Sequence, residues 1–520
     1  MVRLVPIIDL FAGPGGLAEG FGSLADSNGN RVFDIRLSIE KDKHAHETLT
    51  LRSFLRQFPL NGLPDEYYSF LRGDISLDLL YKSFPNKHKE ATLESWQATL
   101  GDNDIFEIDQ RIKNALNKDK NWVLIGGPPC QAYSLAGRSR VGGIDENDHR
   151  VHLYKEYLRI IALHQPAVFV MENVKGLLSA ELNNEKIFPK ILNDLKDPSS
   201  VFSEYSSKKY NIHSLITENI EKDGDYLIRS EEYGVPQKRH RVILLGVRED
   251  IESKPGFLVK KDKVYLKSII DQLPPVRSGI YREFVDSENL VQADGTFKKR
   301  RIYRTLKDSF KSWEKLINVY RSDLRELVTN NSNEKPLFPQ NIGQEFITYD
   351  KETLQNNHPL ANWYTDLKVG GILHHVSRAH LTLDLKRYLF SSSYAAKFKK
   401  FPRLDDFKAY GEDLVPDHQN VESGKFNDRF RVQLPDEPAT TVTSHISKDG
   451  HYFIHYDPIQ CRSLTVREAA RIQTFPDNYF FCGSRTQQFH QVGNAVPPYL
   501  AYQISKIVNE VLINHKATSQ

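Results

Sequence analysis

Cysteine is scarce in this chain, and the scarcity is its first useful constraint. The 520 residues include three cysteines, Cys130, Cys461 and Cys482, with no CxxC pair and no Cys/His ligand spacing. A disulfide framework and a zinc site are thereby excluded, and any cysteine chemistry must come from a lone thiol. Net charge of one sign is nearly missing as well: a formal balance of +3 is too small to demand an anionic partner, so a claim on nucleic acid must rest on local runs and motifs. Long apolar runs are missing too. None approaches the roughly 18 residues that cross a bilayer, and the N-terminal MVRLVPIIDLF meets an acidic residue too early for a signal peptide. The expectation is a soluble, cytoplasmic protein.

What is present is a rhythm. From residue 1 to about 250, short apolar runs alternate with glycine or acidic punctuation and then a helical pattern, which predicts a parallel α/β sheet. The clearest runs are Leu4 to Leu10, Ile35 to Ile39, Trp122 to Ile125, Ala167 to Met171 and Val242 to Val247, the lengths of strands buried on both faces. Gly13, Glu40, Cys130 and Glu172 each fall just after or at the end of such a run, on the sheet edge where open α/β folds bind ligands. Residues 251–445 lose the rhythm and become rich in Lys, Arg, Tyr, Asn and Ser, so a smaller inserted domain is expected there. Residues 446–520 return to the first domain. Thr465 and Glu468 form a T-x-x-E capping box, Pro476 stops the helical pattern behind it, and Tyr499 to Ile513 should be a helix packed on the first domain. The polar stretch from Asp74 to Trp122 reads as a peripheral insertion.

The turn Asp9-Leu-Phe-Ala-Gly13-Pro-Gly15-Gly16 lets a ligand approach the backbone behind the first strand. Glu40 follows by the interval at which dinucleotide-type folds place a carboxylate on ribose hydroxyls, pointing to an adenosine ligand; Asp74 in Gly73-Asp74-Ile75 is either part of that pocket or a turn residue. In Gly126-Gly127-Pro128-Pro129-Cys130-Gln131-Ala132-Tyr133-Ser134 a cysteine is held rigidly at a strand end. Inert cysteines sit inside strands and helices, so this placement favours a nucleophile activated by its surroundings. Glu172-Asn173-Val174 supplies a partner, and Arg239 and Arg241 alternate onto one face ahead of the run Val242 to Val247.

The ordered set DLFAGPGG, IE, GDI, GGPPCQAYS, ENV, QKRHR and QVGNAVPP resembles the bacterial DNA (cytosine-5)-methyltransferase family of restriction-modification systems, over about the first 250 residues and the last 65. The resemblance implies a Rossmann-like S-adenosylmethionine-dependent catalytic domain (1–250 and 446–520) interrupted by a target-recognition domain (251–445). It implies that Phe11, Gly13, Gly15, Glu40, Asp74, Ile75, Pro129 and Asn494 line the S-adenosylmethionine pocket, with Glu40 on the ribose and Asp74 at the adenine amino group. Cys130 is then the nucleophile, Glu172 the group at N3 and the exocyclic amine of cytosine, Arg241 a contact to O2, and Arg239 a contact to the ring or a neighbouring phosphate. The glycine- and arginine-rich loop after the cysteine, with Gln131, Ser134, Arg138 and Arg140, is implied to close on DNA, and the run containing Lys298 and Arg300 is a candidate phosphate contact. Double-stranded DNA is the implied partner, with a cognate endonuclease acting on the same site without a stable complex, and the enzyme itself a monomer. Lys41 after Glu40 and Ala495 after Asn494 depart from the usual family residues without touching this chemistry.

Other readings fit less well. A Rossmann-type oxidoreductase has no use for Pro-Pro-Cys-Gln, Glu-Asn-Val and paired arginines together. An amino-group DNA methyltransferase would carry Asp or Asn before Pro-Pro and an aromatic after it, where this chain has Gly127 and Cys130. The related branch that methylates tRNA has a short insert, and a silent regulatory relative would have lost Cys130 or Glu172.

Overall fold

The computed structural model describes residues 4–129, 149–182, 185–292, 297–328, 336–416 and 429–518. They fall into two compact units, Met1–Val264 with Gln473–Gln520, and Tyr265–Ile472.

The first unit is built on one sheet. Its strands are β1 (Val5–Leu10), β2 (Phe33–Glu40), β3 (Ser95–Gln97), β4 (Val123–Gly126), β5 (Val168–Val174), β6 (Tyr210–His213), β7 (Leu227–Arg229) and β8 (His240–Arg248). The spatial order is β3-β2-β1-β4-β5-β8-β6, with β7 also paired to β8. β1 to β5 are parallel neighbours, while β8 runs antiparallel to β5. The five apolar runs legible in the sequence are all strands of this sheet. Successive residues of each strand go to opposite faces: Ile8, Leu124, Phe169 and Val242 enter one core, and Ile7, Val123, Val168 and Ile243 the other. The C-terminal helix Pro498–Thr518 covers the second face through Leu500, Ile504, Val508 and Val511. Strand order reverses between β1 and β4, the kind of position at whose carboxyl ends open α/β sheets bind ligands.

The stretch from Asp74 to Trp122 is not peripheral. It supplies the edge strand β3, and the helix Ile105–Leu116 buries Ile108, Ile112 and Leu116 in the sheet core. Their i, i+4, i+8 spacing is helical, but it is diluted by the charged residues of the exposed face, which is why composition alone misplaced the segment.

The second unit has a long hairpin, β9 (Gly279–Val291) with β10 (Phe297–Thr305), and an antiparallel pair, β11 (Gly343–Thr348) with β12 (Gly371–Val376). A short strand β13 (Ala379–Leu381) lies parallel to the base of β9. Trp313 and Ile317 of the helix Phe310–Asp323 pack with Leu385, Tyr388 and Leu389 of the helix Thr382–Phe398 in its core. The capping box forms as read: Glu468 accepts from the Thr465 N–H at 2.8 Å, and the Thr465 hydroxyl accepts from the Glu468 N–H at 3.3 Å. Glu468 also holds Arg462 through two 2.7 Å bonds, a pair sealed from solvent. Among the described residues no helix is long and apolar enough to cross a membrane.

Candidate active site

Four segments meet at the carboxyl edge of the first unit's sheet. The turn after β1 is the tightest. Phe11 has φ 57° and Gly15 φ 92°, a left-handed conformation that costs glycine little. A Cβ on Gly16 would lie 2.3 Å from the Val496 carbonyl oxygen, so the turn is wedged against the QVGNAVPP segment. The Tyr479 hydroxyl donates to the Pro14 carbonyl. At the end of β2, Glu40 Oε2 accepts from the Gly13 N–H and Oε1 from the Asp42 N–H, each at 2.8 Å. Burial pushes the Glu40 carboxyl above its ordinary pKa, and the two backbone donors pull the other way.

The Gly-Gly-Pro-Pro segment after β4 meets the Glu-Asn-Val end of β5. A Cβ on Gly127 would come within 2.9 Å of Glu172 Oε2, and Asn173 Nδ2 donates to the Pro128 carbonyl at 3.4 Å. Glu172 therefore packs on the backbone three residues ahead of Cys130. Its Oε1 lies 2.7 Å from Arg241 Nε, an ion pair rather than an aligned hydrogen bond, with side chains 14% and 13% exposed. The register explains the meeting: Glu172 faces Ile243 across the antiparallel β5–β8 pair, so Arg241 is its diagonal neighbour on the same face. Arg239 is almost fully buried and donates through both terminal nitrogens to the Gly493 carbonyl at 3.4 Å. Its burial, and the charge of Arg241 beside it, hold its pKa well below the usual guanidinium range.

Two residues that sequence reasoning missed tie these pieces together. Gln473 accepts from Gln237 at 2.7 Å and donates to the carbonyls of Val492 at 2.6 Å and Ala495 at 3.1 Å, strapping QKRHR to QVGNAVPP. Tyr479 buttresses the first turn, and the Arg52 guanidinium lies 4.4 Å from its ring centroid. Asn494 is exposed at the end of the helix Arg485–Asn494, with Nδ2 3.3 Å from His490 Nε2.

Asp74 and Ile75 follow a helix rather than a strand of the sheet. Gly73, with φ 82°, caps the short helix Asp65–Arg72, and Asp74 is exposed in an ion pair with Arg72 at 3.1 Å. The segment following β3 is Ala98 to Asn103: the Ala98 N–H donates to the Glu40 carbonyl at 3.1 Å, and Asp102 lies in the turn behind it, its N–H donating to Thr99 at 3.1 Å. Cys130, Gln131, Ser134, Arg138 and Arg140 lie outside the described residues. The other two thiols are buried, which raises both pKa values, that of Cys482 to about 12, and so disfavours the thiolate form. In the second unit, Lys298 and Arg300 stand on β10, and Arg300 pairs with Glu288 across the hairpin at 3.3 Å.

A mixed sheet of this order, with glycine-bearing turns at the strand reversal, is the Rossmann-like methyltransferase fold. The model of the C-5 cytosine-specific DNA methylase family matches residues 82–510, and the chain belongs to that family as a DNA (cytosine-5)-methyltransferase. Among its relatives, the type II methyltransferase M.Bpa9945I of Bacillus paralicheniformis is 29% identical over 98% of this chain and 99% of its own. M.DdeI of Desulfomicrobium norvegicum, also a type II methyltransferase, is 24% identical over 97% and 88%. The DNA (cytosine-5-)-methyltransferase M.ApeKI of Aeropyrum pernix is 26% identical over 81% and 88%. A prophage-encoded E. coli chain assigned as a DNA modification methyltransferase shares the fold, with a TM-score of 0.52 at 21% identity over 98% and 99% of the two chains.

Proposed function

We propose that this enzyme methylates C5 of a cytosine flipped out of duplex DNA, through a covalent bond between Cys130 and C6, with S-adenosylmethionine as methyl donor. The observation that carries the reading is the Glu172–Arg241 pair packed on the Gly-Gly-Pro-Pro backbone at the strand reversal.

Cytosine C5 is not nucleophilic until something adds across the 5,6 double bond. The Cys130 thiolate adds to C6, and the electron pair of the double bond moves toward C5 and N3. Glu172, held by Arg241, hydrogen-bonds N3 and the exocyclic amine, stabilising charge on the ring and reading the Watson–Crick edge of the flipped base. The bound cofactor supplies an electrophilic sulfonium methyl for C5. A base then removes the C5 proton, the double bond re-forms and Cys130 leaves as thiolate. Arg239, with its head group on the Gly493 carbonyl, orders the floor beneath Arg241.

The turn after β1 suits an adenosine-bearing cofactor. Glu40 offers carboxylate oxygens at the strand end, and a Cβ on Gly13 would meet no atom within 4 Å, leaving open space beside the backbone. Phe11, Gly15, Pro129 and Asn494 complete the pocket. We place Asp102 at the adenine end in place of Asp74, since Asp102 follows the third strand of the sheet as Glu40 ends the second. The loop carrying Gln131, Ser134, Arg138 and Arg140 closes on the DNA around the flipped base. The relatives named as type II methyltransferases support a protective role against a cognate endonuclease, with the enzyme acting as a monomer in the cytoplasm.

Bisulfite sequencing of duplex DNA incubated with the protein and S-adenosylmethionine tests the reading. Wild type should convert one cytosine of a defined site to 5-methylcytosine, and Cys130→Ala should leave it unmethylated while still binding cofactor. More than a few per cent of residual activity would exclude the covalent route.

A further inference from the structure

Arg241 stands where the ladders of its own strand run out. β8 pairs with β5 only as far as Arg241, which lies opposite Val174, and with β7 only as far as His240, which lies opposite Arg229. Backbone past the last ladder pair opens easily, and a shift there would swing the guanidinium away from Glu172. The short helical turn Ser230–Tyr233 that follows β7 extends the hold past that pair. The Ser230 hydroxyl donates to the Arg239 carbonyl at 2.5 Å, and the Ser230 N–H donates to the same oxygen at 3.3 Å. Glu231 Oε1 accepts from His240 Nε2 at 2.9 Å; a carboxylate only accepts, so Nε2 is the protonated nitrogen. Ser230 is fully buried and Glu231 nearly so.

Alternation makes this a grip on the reverse side of the strand. Arg241 shares a face with Ile243 and Leu245, and His240 the opposite face with Val242 and Leu244. Glu231 therefore holds the residue between the two arginines without engaging either guanidinium. The hold passes to Arg241 through a single peptide group. The His240 carbonyl accepts from Arg241 Nη1 at 2.9 Å, and the same guanidinium meets Glu172 Oε1 through Nε at 2.7 Å.

We propose that Ser230 and Glu231 are positioning residues for methyl transfer, fixing the Arg239–His240 backbone so that Arg241 holds Glu172 in the orientation that hydrogen-bonds the flipped cytosine. Misplacing a reacting group by about 1 Å can cost about 10²-fold in rate even when the change lies away from the chemistry. Two routes share the task here, one through the Arg239 carbonyl and one through the His240 ring, so loss of either should cost about tenfold. The proposal rests on the role given to Glu172 above and names what keeps its partner in place.

The test measures single-turnover methyl incorporation into duplex DNA, cofactor affinity by calorimetry and urea midpoints. It compares wild type with Ser230→Ala, Glu231→Ala, Glu231→Gln, His240→Ala and a control, Glu232→Gln, each also in the Glu172→Gln background. Ser230→Ala, Glu231→Ala and His240→Ala should each slow methylation about tenfold with cofactor affinity unchanged. Glu231→Gln should recover most of the rate, because an amide oxygen still accepts from Nε2. Glu232→Gln, which loses only pairs with Lys260 and Arg229, should match wild type. In the Glu172→Gln background the losses should shrink to about twofold or less, since residues acting through one group are not additive. Losses of equal size in both backgrounds, with lowered urea midpoints, mark a merely structural role and overturn the proposal. So do wild-type rates in Glu231→Ala and His240→Ala, or a Glu231→Gln as slow as Glu231→Ala, because charge rather than the bond would then act. If Glu231→Ala does not fold, His240→Ala cuts the same bond from its more exposed end and decides alone. Should Glu172→Gln by itself keep the full rate, the catalytic role fails and this one with it; a slow Glu172→Gln beside indifferent Ser230 and Glu231 variants removes the positioning role alone.

Discussion

Replacing Glu172 by Gln keeps the shape of the side chain and removes its charge, so it separates two roles that the geometry superimposes. As a structural group, Glu172 neutralises Arg241 at 2.7 Å. Removing one partner of a fully buried pair costs about 3–5 kcal/mol; here both side chains keep some solvent, and Arg241 also donates to the His240 carbonyl at 2.9 Å, so about 2 kcal/mol is expected. Taken from a typical stability of about 5–15 kcal/mol, that loss leaves on the order of one per cent or less of the protein unfolded at 25 °C. Unfolding therefore cannot imitate a large loss of rate. As the group that stabilises the activated ring, Glu172 should be worth about 10²-fold or more in turnover, near 2.7 kcal/mol of barrier. The assay pairs initial rates of methyl incorporation at saturating DNA and cofactor with urea unfolding of the same samples. A hundredfold lower kcat in a protein still folded in the assay is expected. Unchanged kcat with lowered stability would make Glu172 a structural partner of Arg241 and refute the catalytic assignment.

The cofactor pocket and the acid sensitivity of the second unit are testable in the same protein. Glu40→Ala and Asp102→Ala should both weaken S-adenosylmethionine binding measured by calorimetry without DNA, while Asp74→Ala, which removes only an exposed ion pair, should not; the reverse pattern for the two aspartates would restore Asp74 to the pocket. Burial lowers His375 and His455 to a pKa of about 4, with Arg462 adding to the effect on His455. Both are neutral in the folded protein, so the unfolded chain takes up protons first as pH falls below about 6.5. Their contribution to stability is whole above that pH and is lost toward pH 4, by at most about 1.4 kcal/mol per pH unit for each histidine. Urea midpoints between pH 7 and 5 should show this slope, reduced in His375→Gln; an identical slope in the variant would remove His375 as a source.

The local sequence determined the strands, the turns behind them and the candidate side chains they carry. A run such as Val168 to Met171 is apolar at every position because both faces of its strand are buried, and that signature needs no knowledge of neighbours. The same is true of the Thr465–Glu468 capping box, whose bonds close within a few residues. Gly73-Asp74-Ile75 shows the limit of such reading. A glycine followed by an acid looks alike whether it closes a helix or follows a strand, and only the pairing of Ser95–Gln97 with β2 identifies Asp102 as the acid behind the third strand. Gln473 and Tyr479 were invisible for a related reason. Their partners, Gln237 and the Pro14 carbonyl, are 236 and 465 residues away in the chain, and a contact between such distant positions leaves no local pattern. The hairpin's charged faces were equally hidden, because the basic run at residues 298–301 has a sign in the sequence but acquires sides only when the Val285 bulge sets which residues lie across from it. Local physics thus named the candidate groups, and the pairing of distant strands decided which of the described ones meet.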